Sequence, residues 1–247
     1  MVFDTFSEAY IDAIYHVMGD GKEKDTRVSR SKEIRMFSYT VLENDIDIVK
    51  FEEDFRLLDL PRYPSFEYAQ KFADWVLSGN DKISEELFKL NPGISKYDAN
   101  QSDLSTYELP SNFSMFYGPR ISEQLWQVID ELNENKDTRR AFISVLDGIN
   151  DNKLLEPLRT EEIKTVEYPC TVGFNFEIDD DTLNLEIFMR SQNLVTVWPY
   201  DYFIAVQLLK FVAQQTGRKV GSISAAVASM HIYKSDYDFA KSAMEKN

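Results

Sequence analysis

Cysteine is almost missing from this chain, with Cys170 the only one in 247 residues. One thiol cannot close an internal disulfide, which excludes a disulfide-stapled secreted domain and suits a reducing compartment. Histidine is nearly as scarce. His16 and His231 are the 2 present, and neither stands with Cys170 at zinc-ligand spacing. The 9 glycines form neither a Walker loop nor a Gly-x-Gly-x-x-Gly turn, and no Gly-x-Ser-x-Gly nucleophile elbow occurs. Positive charge is thin as well: 27 Lys and Arg face 42 Asp and Glu, for a net charge of −15. That balance argues against bulk nucleic acid or an anionic membrane as partner. No apolar run approaches the ~20 residues that span a bilayer. The opening "MVFDTFSEAYIDAIYHVMGDG" lacks the basic region and apolar core of a signal peptide. A cytoplasmic protein is expected, without repeats or low-complexity tracts.

Core-forming residues are plentiful, at 43% apolar and 13% aromatic. Phe6, Tyr10, Ile14 and Val17 recur at helical spacing. Helices are also predicted over 65–78, over "ISEELFKL", over 121–135 and over 199–217, the last closed by Gly217. Strand patterns cover 32–44, "RRAFISVLD", the pair "YPCTVGFNFEI" and "TLNLEIFMRS" around an Asp-rich turn, and 220–233. "DIDIVKF" reads as extended or loop, and 94–115 as a long polar loop. The expected architecture is a single α+β domain over 1–247, with a mixed or largely antiparallel sheet and packed helices.

Arginine marks the chemistry. Arg27 and Arg30 lie in "DTRVSRSKEI", Arg139 and Arg140 in "KDTRRAFI", and Arg190 in "FMRSQN". A guanidinium fork suits a phosphate dianion, and several converging forks would hold one tightly. Each arginine alone has the ordinary alternative of a surface ion pair. For Cys170 the ordinary alternative is a small buried core residue.

Four segments, in order, change this balance: "KDTRR", "YPCT", "FMRSQNLVTVWPYDYF" and "AQQTGRKVGSISAAVASMHIY". Together with "FYGPR" and the arginine-bearing N-terminal segment they resemble the thymidylate synthase superfamily, best over about residues 115–235. The resemblance implies a thymidylate synthase-like fold and roles position by position. Cys170 would add to C6 of a pyrimidine nucleoside monophosphate, with Tyr117 lining the site near the reacting carbon. Arg190, Ser191 and Arg27 would hold the 5′-phosphate, joined by Arg139 and Arg140 from the second subunit of a homodimer. His231 and Tyr233 would face the sugar 3′-hydroxyl. The co-substrate implied is 5,10-methylenetetrahydrofolate, with Trp75 and Asn193 on its side of the site. Thiolate addition at C6 makes C5 an enamine-like nucleophile able to take up a one-carbon unit. Hydride then gives a methyl group, and water a hydroxymethyl group.

Asp201, in "WPYDY", stands where thymidylate synthases carry the asparagine that reads uracil. The (deoxy)cytidylate 5-hydroxymethyltransferase branch carries aspartate there. A carboxylate accepts from the cytosine 4-amino group, whereas against uracil O4 it would set acceptor against acceptor. The simpler reading of Asp201 is a carboxylate favoured at a helix N-terminus. Thr171 follows the cysteine where synthases usually have histidine. Aligning Trp75 puts Phe72 in the place of the usual catalytic glutamate, leaving Asp74 as the expected acid. Asn193 replaces the usual pterin-contacting aspartate, and the C-terminal "AKSAMEKN" lacks the usual apolar tail. The expectation is a homodimeric, folate-dependent cytidylate hydroxymethyltransferase, dCMP favoured and CMP possible, in the host cytoplasm if phage-encoded. Methylation of dUMP or dCMP, or a non-catalytic pyrimidine nucleotide-binding homologue, are the alternatives.

Overall fold

Two long strands organise the molecule. In the computed structural model, which describes residues 1–97, 116–155 and 168–247, β3 (Arg30–Val41) pairs antiparallel with β8 (Lys219–Tyr233). Their register runs from Ser31 opposite Tyr233 to Val41 opposite Ile223. Phe37, Tyr39 and Val41 turn one face of β3 into the core, the period-two burial that fixes strand register. β6 (Thr182–Met189) runs parallel to β8 on its other side, and β5 (Thr171–Asp179) returns antiparallel to β6. Asp180, at φ 52°, supplies the left-handed conformation that the tight β5–β6 turn needs. β4 (Phe142–Ser144) closes that edge, and β1 (Val2–Phe3) lies on the far side of β3. Short strands β2 (Lys22–Asp25) and β7 (Gln192–Asn193) pair with the ends of β3 and β8. The result is a mixed sheet with central order β1-β3-β8-β6-β5-β4, as the α+β expectation required.

Among the described residues the α-helices are α1 (Phe6–Asp20), α2 (Ile48–Arg56), α3 (Phe66–Leu77), α4 (Glu85–Leu90), α5 (Tyr117–Glu134), α6 (Asn150–Lys153), α7 (Trp198–Thr216) and α8 (Tyr237–Lys246). Thr5 and Glu8 start α1 with a capping box. α7 ends at Gly217, whose φ of 64° closes the last turn. Eleven of its residues, from Trp198 to Ala213, are buried, so it is the core helix that its composition predicted.

Three expectations change. "DIDIVKF" is not extended: Asp47 caps α2, accepting from the Lys50 amide, and Phe51 and Phe55 enter the core. The strand expected over "RRAFISVLD" shrinks to β4. The C-terminal segment, read only for what it lacked, forms α8 and buries Phe239, Ala240 and Ala243. The loop expected over 94–115 falls largely outside the described residues.

Two buried polar links hold α7 on the sheet. Asn44 donates to the Val41 and Gly221 carbonyls at 2.9 and 3.0 Å and accepts from the Tyr202 hydroxyl. Trp198 Nε1 donates to the Tyr39 hydroxyl at 2.9 Å. Phe6 stacks on Tyr202 and meets Trp198 edge-on. The first turn of α7 is thereby fixed relative to β3 and β8.

Candidate active site

A cleft of about 590 Å³ opens where the start of β3, the end of β8, the β6–α7 connection and α3 meet. Its size suits a small-molecule site. Cys170 is half-buried on its wall, immediately before β5. The pairing of β5 with β6 shifts register between Thr171 and Gly173, an irregularity of the kind that re-aims neighbouring side chains. A Cβ at position 173 would lie 2.5 Å from the Ile143 carbonyl oxygen, so close passage of β4 requires glycine there.

Tyr117 and Arg190 hold the cysteine segment. The Tyr117 hydroxyl accepts from the Cys170 and Thr171 amides at 3.0 and 3.2 Å. Burial, with Cys170 and Asp201 nearby, raises its ionisation well above the ordinary tyrosine value, so it stays protonated. Arg190 donates through Nε to the Pro169 carbonyl at 2.6 Å and through Nη2 to the Tyr168 carbonyl at 2.7 Å. The same Nη2 lies 3.6 Å from the Cys170 sulfur, and the guanidinium stacks 4.8 Å from the Tyr168 ring. Positive charge at that distance stabilises negative charge on sulfur.

Asp201 enters the cleft from the first turn of α7. Burial pushes its carboxyl up to about 6, although Gln192 Nε2, donating at 2.9 Å, pulls the other way. Desolvation therefore outweighs the Gln192 hydrogen bond. His231 stands opposite Glu33 in the β3–β8 ladder. Burial lowers its pKa below the ordinary histidine value, so the ring is neutral at neutral pH, while the Ser229 carbonyl and Glu33 favour its protonated form. Tyr233 packs edge-on against it at 4.8 Å.

Most sequence-predicted residues line this one cleft: Arg27, Trp75, Tyr117, Cys170, Arg190, Ser191, Asn193, Asp201, His231 and Tyr233. Arg30 does not; it bonds Asp25 at 2.9 Å and lies 3.6 Å from Glu23, which leaves Arg27 as the arginine of that turn in the cleft. Asp74 is a correction. It is exposed and accepts from Gln70 at 2.7 Å, because it follows Phe72 by two positions and so faces away from it around the helix. Phe72 lines the cleft instead. Arg139 and Arg140 are exposed and outside the cleft of their own chain, with Arg140 3.2 Å from Glu131.

Sequence reasoning missed Gln192, Tyr168, Glu33 and Tyr68, and on α3 named Trp75 without the aromatic neighbours that stack with it. Gln192 adjoins the Arg190-Ser191 pair, a signal that was in plain view. Glu33 faces His231 only through pairing across about 200 residues, which no local pattern carries. Tyr68, Phe72 and Trp75 stack in sequence at 5.3 and 6.0 Å, nearly parallel. All three rings line the cleft.

Fold and cleft together define an enzyme-like class, a lone thiol beside a guanidinium in a nucleotide-sized pocket on a mixed sheet. The chain belongs to the thymidylate synthase family, whose description, "Thymidylate synthase", matches residues 8–247. The likeness thus reaches well beyond the segments legible as motifs. A "Putative thymidylate synthase" of Methanococcoides burtonii is 31% identical over 141 residues, covering 55% of this chain and 60% of that protein. A "Deoxyuridylate hydroxymethyltransferase" of Delftia phage PhiW-14 is 28% identical over 171 residues, covering 66% of this chain and 44% of the phage protein. The match to each therefore spans less than two thirds of the relative's length.

Proposed function

We propose that this protein transfers the one-carbon unit of methylenetetrahydrofolate to C5 of a cytidine 5′-monophosphate in place of the C5 proton and, with addition of water, releases the 5-hydroxymethyl nucleotide and tetrahydrofolate. The observation that carries the reading is Asp201 sharing the Cys170 cleft, both within electrostatic reach of the Tyr117 hydroxyl. The Cys170 thiolate forms a bond to C6 of the ring, which places nucleophilic electron density on C5. Arg190, tethered to the cysteine segment, steadies that thiolate before attack and keeps the Nη1 side of its fork for the phosphate, where Arg27 and Ser191 join it. The Asp201 carboxylate accepts from the 4-amino group, and Gln192 holds it in place. When bound, methylenetetrahydrofolate supplies the one-carbon unit, and Tyr68, Phe72 and Trp75 offer its ring a stacking face, with Asn193 at the margin. Arg139 and Arg140, remote from their own cleft, are assigned to the partner's site in a homodimer.

A second reading has uridylate as substrate, favoured by the name of the phage relative. A third, a nucleotide binder without turnover, is favoured by Phe72 lining the cleft where an acid was expected. Incubation with dCMP, CMP or dUMP plus methylenetetrahydrofolate, followed by product mass spectrometry, separates them. Hydroxymethylated cytidylate is expected. A methyl product, or turnover of dUMP alone, would defeat the proposal. Release of tritium from C5-labelled cytidylate tests carbon activation directly; it is expected from the wild type and lost in Cys170→Ser.

A further inference from the structure

At the β3–β8 end of the cleft, His231 and Tyr233, expected near the sugar 3′-hydroxyl, are joined by polar residues of β3 to which no role has been given. Ser31 and Glu33 on β3 stand opposite Tyr233 and His231 on β8, and opposed residues of an antiparallel pair share one face. Together with Ser229, all of them line the cleft. Ser31 is 1% exposed and His231 8% exposed. Among the described residues, neither Ser31 Oγ nor His231 Nε2 has a hydrogen-bond partner. The Glu33 side chain is 12% exposed, with Arg35 3.7 Å away, and it accepts from Ser229 Oγ at 2.8 Å. An ionised carboxylate has about four acceptor sites, so Glu33 keeps most of its capacity. Buried polar atoms without partners cost free energy that a ligand of matching polarity recovers.

The ligand atoms that fit are hydroxyls. A carboxylate repels the phosphate, which belongs with Arg27 and Arg190. His231, neutral by burial and donating to the Ser229 backbone, offers Nε2 as an acceptor to an alcohol. We infer that Glu33 reads the sugar, accepting hydrogen bonds from a ribose cis-diol, so that the cleft favours CMP over dCMP. Vicinal hydroxyls present two donors side by side to two carboxylate oxygens, and an acidic residue serves the ribose 2′-hydroxyl in dinucleotide-binding folds for the same reason. The inference rests on the nucleotide reading above and reverses the deoxyribose preference expected from resemblance.

Calorimetric titration of the full chain with CMP and dCMP tests it without requiring turnover. The wild type is expected to bind CMP about tenfold more tightly, as a hydrogen bond to a charged group allows. Glu33→Gln is expected to weaken CMP about tenfold and dCMP, which keeps only the 3′-hydroxyl, distinctly less, so that most of the CMP advantage disappears. Glu33→Asp, which keeps the charge but withdraws it by one methylene, should also lose most of the CMP advantage and serves if the glutamine variant fails to fold. Equal wild-type affinities, a wild-type preference for dCMP, or equal weakening of both ligands would overturn the inference. If Asp201→Asn shifts base preference while Glu33→Gln leaves the sugar ratio alone, the sugar reading falls and the base reading stands. If the wild type binds no pyrimidine monophosphate, both fall together.

Discussion

Asp201 concentrates the specificity question in one carboxyl group. Replacing it with asparagine keeps the shape but lets the side chain present a donor to uracil O4. Asp201→Asn is therefore expected to trade cytidylate for uridylate, a change of about 1–3 kcal/mol in relative binding, or roughly tenfold to a hundredfold. Competitive titration with CMP and UMP measures it, and an unchanged ratio would remove Asp201 from base reading. The same residue carries a pH signature. Its pKa rises from 3.8 to about 6 on folding, so between those values the native state binds more protons than the unfolded chain. Stability from this group then falls as pH climbs from about 4 to 6 and stays reduced above. Thermal melts of wild type and Asp201→Asn should diverge above pH 6, with the variant melting higher, and converge near pH 4. Cytidylate affinity should weaken as pH drops below about 6, because only the ionised carboxylate accepts from the amino group on both oxygens.

The connection from β6 through α7 to β8 is the element that builds the site. Within it come Arg190 and Ser191, then β7, then Asp201 on the first turn of α7, and His231 near the far end of β8. Asn44, held to Val41 at the end of β3, clamps this unit through two further buried hydrogen bonds, to Gly221 and from Tyr202. Asn44→Ala leaves two carbonyls and a tyrosine hydroxyl unpaired, and is expected to cost about 2–4 kcal/mol in chemical denaturation. Because α7 carries Asp201, nucleotide affinity should fall as well; a stable variant with unchanged affinity would refute the clamp. This element also explains what was legible. Its helix, its strands and its motif residues all follow from local periodicity and spacing, so α7, β6 and β8 emerged from sequence with boundaries within a residue or two. Asp74 failed for the opposite reason. It stands two positions from Phe72, the place of the usual acid, but a helix turns successive side chains by about 100°, so Tyr68, Phe72 and Trp75 meet the cleft while Asp74 is exposed. The α2 helix was hidden by its charged residues, since Phe51 and Phe55 are the only large apolar anchors it buries.

At the scale of the whole molecule, the placement of Arg139 and Arg140 carries the oligomer question. If each site borrows its partner's arginines, a Cys170→Ser chain and an Arg139→Ala/Arg140→Ala chain are each inactive alone. Mixed and allowed to exchange, random pairing makes half of the dimers hybrids, each with one intact site, so about a quarter of wild-type activity returns. Tritium release measures this, and no recovery after confirmed subunit exchange would confine the arginines to their own chain. Charge acts at this scale too. With a net charge of −15, the long-range field opposes an anionic nucleotide, so the local guanidiniums work against the background of the molecule. Added salt should therefore slow nucleotide association less than a cation-lined site ordinarily shows.

The pairing of β3 with β8 has a consequence for how the protein is made. Ser31 meets Tyr233 and Val41 meets Ile223, so one centre strand leaves the ribosome roughly 190 residues before its neighbour. At about 5–20 residues per second, that strand waits on the order of ten to forty seconds with its backbone edge unpaired. Its charged opening, from Arg30 to Arg35, keeps the nascent segment from recruiting a stray strand in the meantime.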